Sequence, residues 1–133
     1  MVSQAYIFPN LSERGKALFF GRNSLKIERL QSFEIWIDFV CGERNITIAD
    51  FRSKNRARHL VEARQLACWL YNEYCLHNRV NRLSLAKMGE LIGDKDHATV
   101  LHSINVIANA VQMYKDKKET YLTMYNKLIF EYL

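Results

Sequence analysis

A single proline, Pro9, and five glycines serve the whole of this 133-residue chain. A sandwich or barrel needs a turn every few residues and would carry more of both. The scarcity points instead to long uninterrupted helices. Hydrophobic spacing agrees. In "NSLKIERLQSFEIWIDFVCGERN", Ile27, Leu30, Phe33, Ile37 and Val40 recur three or four apart, a single helical stripe. In "VEARQLACWLYNEYCL" the stripe is Leu66, Ala67, Leu70 and Tyr74. "HATVLHSINVIANAVQMY" turns Val100, Leu101, Ile104, Ile107, Ala108 and Val111 inward, and "KDKKETYLTMYNKLIFEYL" does the same with Leu122, Tyr125, Leu128, Ile129 and Tyr132.

Residue chemistry at the ends of these stripes predicts where helices start and stop. Ser12 can cap a short helix over "LSERGKALFF", closed by Gly21. Asn45 suits a left-handed C-cap. Thr47, with Asp50 three residues on, is a capping-box variant. "HNRVNR" is a polar break, after which Ser84 caps the two-turn helix "LAKMGELI". Gly93 and Asp94 make a tight turn, and Asp96 is placed to cap the helix after it.

Hydrophobic residues make up 49% and charged residues 25%, ordinary for a globular domain with a real core. No apolar run approaches the length of a membrane span, and the start lacks the build of a signal peptide. Cys41, Cys68 and Cys75 form no CxxC and no zinc spacing with histidine. Cys68 and Cys75, one heptad apart, share a helical face and suit a core. We expect a reduced, cytoplasmic protein without metal or cofactor. No GxxxxGK[ST] loop is present, so no nucleotide is expected either.

The net charge is +5, which suits a polyanion without demanding one. Its distribution says more. "FRSKNRARHLVEAR" sets Arg52, Lys54, Arg56, Arg58 and Arg64, with His59, against one acid, Glu62. A charge run is most often a solvated loop. This one leads directly into a strong helix, which would hold it in register against phosphates. Further on, two short helices joined by a glycine turn form a helix-turn-helix. The N-terminal end of its second helix, Asp96 to Thr99, is where such modules touch base edges in a major groove. A carboxylate accepts from cytosine N4, an alanine methyl meets a thymine methyl, and an imidazole or hydroxyl bonds a base or phosphate. Asp96-His97 as a general acid–base pair would need a nucleophile and an oxyanion site; as a metal site it would need further ligands at helical spacing. Neither is indicated. His102, a turn from the tip, reads as a packed or solvated histidine.

The runs "SKNRARHLVEARQLACWLY" and "SLAKMGELIGDKDHATVLHSI" closely resemble the C-terminal DNA-binding domain of the bacterial chromosomal replication initiator DnaA, from about Ser32 onward. The resemblance implies an all-α fold around a helix-turn-helix, a helical bundle akin to the Trp-repressor-like group. It divides the chain into an N-terminal extension over residues 1–30 and the DNA-binding domain over 31–133. It implies sequence-specific binding to double-stranded DNA at DnaA-box-like sites and a nucleoid-associated protein of replication or transcription control. Residue by residue, Arg56 would reach the minor groove, and Lys95, Asp96, His97 and Ala98 the bases of the major groove. Thr99, Lys54 and Arg64 would meet the DNA backbone, Arg58 would be a further DNA-binding residue, and Gln65 would contact phosphate or pack. Departures are visible. Lys95 stands where many members carry arginine, whose rigid fork grips guanine better. Ala98 replaces a frequent hydroxyl, and Arg44 a usual aromatic. The "LHNRVNR" connection is longer than usual by about two helical turns, and its Arg79 and Arg82 could add backbone contacts or only solubility.

The chain is expected to be a free-standing relative or a domain cut from a larger protein, and residues 1–30, unlike the family, favour the first. A different class of function is a protein-interaction module, the same scaffold with weak or non-specific DNA affinity and residues 1–30 docking a protein partner.

Overall fold

The computed structural model describes residues 29–131. The short helix expected between Ser12 and Gly21, Ile27 of the first stripe, and Tyr132 lie outside them. Among the described residues the fold is all-helical, with six helices: α1 Phe33–Arg44, α2 Ile48–Arg52, α3 Arg58–Asn78, α4 Leu85–Leu91, α5 His97–Met113 and α6 Lys115–Glu131.

The first stripe is not one helix. The chain breaks at Ser32, which is extended at φ −82° and ψ 122°. The indole of Trp36 donates to the Leu30 carbonyl at 2.8 Å, and the Ser32 amide to that of Arg29 at 3.0 Å. Leu30 is thereby folded over the core, fully buried. Helix α1 ends as expected on Asn45 in the left-handed region, φ 57°. The Thr47 hydroxyl accepts from the Asp50 amide and starts α2.

Helix α3 is the axis of the molecule. The sequence suggests one apolar stripe, but every residue from Leu66 to Cys75 is buried, Asn72 and Glu73 included. A helix enclosed all round must be packed on several sides, and α1, α2 and α5 lie directly against it. Its aromatics interlock with its neighbours. Phe33 meets Tyr71 at 4.8 Å between centroids, Trp36 meets Tyr74 at 5.6 Å, and Trp36 stacks on Tyr125 of α6 at 5.6 Å. Cys41, Cys68 and Cys75 are free and buried, and burial pushes the Cys68 thiol up to about 12. They behave as small hydrophobes.

Helix α5 corrects one expectation. Val100, Ile104, Ile107 and Val111 are buried, but Leu101 is 47% exposed. Buried Ser103 takes a place on the inner face; its hydroxyl donates to the Thr99 carbonyl at 2.9 Å, so it enters the core satisfied. The walls formed by α3 and α4 cover the 100-103-104-107-111 side, and Leu101, rotated one step further, falls outside it.

Candidate nucleic-acid interface

Three local devices hold the helix-turn-helix. Gly89 on α4 lies so close to the following turn that a Cβ there would overlap the Lys95 carbonyl. In return the Lys95 amide donates to the Gly89 carbonyl at 2.9 Å. Gly93 has φ +114°, and a side chain there would overlap the Arg52 backbone. Asp94 follows in the left-handed region at φ 56°, which Asp tolerates better than most residues. Arg52 Nε donates to the Leu91 carbonyl at 2.9 Å, satisfying the end of α4 from another helix. Neither Gly89 nor Arg52 stands out in the sequence as a determinant of the site.

At the start of α5, Asp96 Oδ1 accepts from the Thr99 amide at 2.8 Å. That bond holds the Asp96 carboxyl below its ordinary range. Asp96, His97, Ala98 and Thr99 are all exposed. The capped tip thus presents a carboxylate, an imidazole, a methyl and a hydroxyl to solvent.

The basic segment is stiffer than a charge run suggests. The Ser53 hydroxyl donates to the Asp50 carbonyl, the Asn55 amide donates to Ser53 Oγ, and the Ala57 amide donates to Asn55 Oδ1 at 2.8 Å. These side-chain turns fix the loop backbone. Arg64 completes the arrangement from α3. Expected as a DNA-backbone contact, it is only 5% exposed. Its Nε donates to the Phe51 carbonyl at 2.6 Å and one terminal nitrogen to those of Asp50 and Ser53. Its place in the structure is beneath the loop, holding it. Lys54 and Arg56 project from that loop, exposed and without an ion pair among the described residues. Arg58 is exposed and pairs with Glu62 at 3.1 Å. Arg82 is exposed, but its guanidinium reaches back to α3. It donates to Asn72 Oδ1 at 2.6 Å, and the Leu83 amide donates to the Tyr71 hydroxyl. The connection is tied to α3 at those points.

Between the basic segment and α5 runs a groove of about 370 Å³. Arg56 and Gln65 line one side, and Lys95, Thr99 and His102 the other. No carboxylate among the described residues lines it. Helix α3 opens beside it with Ala57, which supplies no side-chain cap, and with no acid in its first turn. An uncapped helix start surrounded by cations is electrostatically costly in isolation and favours a bound anion.

A family model described as bacterial DnaA protein helix-turn-helix matches residues 34–107. The chain belongs to that family. Curated DnaA proteins agree. The chromosomal replication initiator protein DnaA of Gloeobacter violaceus is 39% identical over 74 residues, 56% of this chain and 15% of that protein. The DnaA of Flavobacterium psychrophilum is 44% identical over 68 residues, 51% of this chain and 13% of its own. That of a Thermoanaerobacter species, strain X514, is 34% identical over 110 residues, covering 79% of this chain and 23% of the relative. The chain therefore spans less than a quarter of each of these relatives. The DnaA family match contains the basic segment, the helix-turn-helix and the groove between them, and it stops within α5, before α6.

Proposed function

We propose that this protein binds double-stranded DNA sequence-specifically at DnaA-box-like sites. The tip of α5 enters the major groove, where Lys95, Asp96, His97 and Ala98 meet base edges. Thr99 and Lys54 contact phosphates, and Arg56 enters the neighbouring minor groove. Arg58, partly neutralised by Glu62, adds a peripheral phosphate contact, and Gln65 faces the strand from α3. Arg64 acts through the loop it holds. Occupancy of such sites would regulate replication or transcription.

One observation carries this reading. An exposed, capped helix tip and an exposed arginine on a braced loop flank one groove lined by cations and free of carboxylates. Family membership supports it independently. The test is fluorescence anisotropy with a DnaA-box-like duplex and a scrambled one at two salt concentrations. The box should bind at least tens of times more tightly, and both affinities should fall steeply with salt. Equal affinities for the two duplexes would bring the interaction-module reading forward.

A further inference from the structure

We propose that the seam between α1 and α6 is a docking groove for the chain's own stretch "RGKALFFGR", residues 14–22. The proposal does not rest on DNA binding, because this groove shares no lining residue with the one beside α5. Its volume is about 390 Å³. Ile35, Phe39 and Leu128 give it an apolar lining, and Asp38, Glu43 and Glu131 stand along it. Lys127 pairs with Glu43 at 2.8 Å. Asp38 and Glu131 have no salt-bridge partner among the described residues. The groove thus combines an apolar surface with negative charge that the fold leaves unmatched.

Gly42 is the second observation. It follows Ile35 and Phe39 on one face of α1 and lines the same groove. Glycine weakens a helix relative to alanine, yet a Cβ at Gly42 would meet nothing within 4 Å. No neighbour among the described residues demands a glycine there; a segment lying close along α1 would. The occupant follows from charge, composition and reach. Residues 14–22 hold Arg14, Lys16 and Arg22, no acid, and the apolar run Leu18, Phe19 and Phe20. Cations complement Asp38 and Glu131, and the phenylalanines complement Ile35, Phe39 and Leu128. The stretch lies outside the described residues, which begin at Arg29, just before α1. Residues 23–28 can span about 20 Å when extended, and Ile35 to Gly42 is only about 10 Å along the helix. The short tether keeps the stretch at an effective concentration in the millimolar range, so modest contacts suffice.

The experiment is zero-length carbodiimide cross-linking of the full chain, which joins an amine to a carboxylate in direct contact, read by peptide mass spectrometry. A mixture of isotopically light and heavy chains separates links within a chain from links between chains. Lys16 should join Asp38 or Glu131 within one chain. Two variants keep every reacting group and test the contact itself. Phe19→Ser with Phe20→Ser removes the apolar anchor, and Gly42→Trp fills the groove where the backbone leaves space. Both should lose the Lys16 link while circular dichroism shows unchanged helix content. Absence of the link in the wild type would overturn the proposal. So would a link that both variants retain, since the tether alone would then bring Lys16 near. Light–heavy links would give the groove to a second copy and equally overturn it.

Discussion

Asp96 caps α5 and is proposed to read a base, and its chemistry lets the two be separated. It caps α5 through the Thr99 amide and stands exposed where a cytosine amino group could donate to it. Asparagine caps about as well but presents a different donor and acceptor pattern. Asp96→Asn should therefore melt at nearly the wild-type temperature at pH 7, yet lose or change base preference at one position of the site. Full specificity in a four-base binding series would remove Asp96 from the reading set. The pH dependence follows from the same bond. Because the Thr99 amide depresses the folded carboxyl, the cap stabilises above the unfolded value of about 3.9. That contribution is lost as pH falls through the lower, folded value. In paired melts, Asp96→Asn should gain on the wild type below about pH 4. Arg56 makes a second test at this scale. A narrow A·T minor groove concentrates negative potential. Arg56→Ala should weaken an A·T-flanked site more than a G·C-flanked one, and equal losses would reduce Arg56 to a phosphate contact.

Two elements are held by contacts made wholly within the protein. The α4–α5 angle depends on the approach of Gly89 to Lys95. Backbone cannot yield as a flexible side chain can, so Gly89→Ala must push the helices apart. The expected cost is about 1–3 kcal/mol, with loss of box binding at temperatures where the protein remains folded; denaturant melts beside anisotropy would show it. The basic segment depends likewise on Arg64. Arg64→Ala leaves the carbonyls of Phe51 and Ser53 without their donor. It should destabilise by about 2–3 kcal/mol and should blunt the contribution of Arg56. In a double-mutant cycle Arg56→Ala should then cost less in the Arg64→Ala background than in the wild type. Additive losses would mean that the loop keeps its shape without Arg64.

Seen whole, the molecule is a helical core with opposite charge at different faces. Cations line the groove between the basic segment and α5. Asp38, Glu43 and Glu131 lie with Ile35, Phe39 and Leu128 along the seam between α1 and α6, where Lys127 pairs with Glu43 at 2.8 Å. Such a distribution orients an approaching polyanion toward one face and away from the other. The core that makes both faces rigid converges on Trp36, which is fully buried against α3 and α6 and anchors Leu30 through its indole N–H. Trp36→Ala should cost about 3–5 kcal/mol, measured by denaturant unfolding. A cost below 1 kcal/mol would show that α1 and α6 do not share one core with α3.

Scarce proline and glycine, helical spacing and the caps at Thr47, Ser84 and Asp96 were enough to read the helices and the helix-turn-helix, because those signals are local and each depends on neighbours three or four residues away. The exposed tip and the charged segment were legible for the same reason. What could not be read is where one helix meets another. Leu101 looks as apolar as Val100, and only the packing of α3 and α4 decides which of the two is covered. Arg64 is one cation among several in the sequence. Its burial arises because α2 and the loop fold back over α3, placing three carbonyls within reach of its guanidinium. Gly89 and Arg52 gain their importance from partners in the turn and in α4 that sequence distance conceals. The groove itself belongs to no single segment. It exists because tertiary packing sets the basic loop beside α5, some forty residues further along the chain.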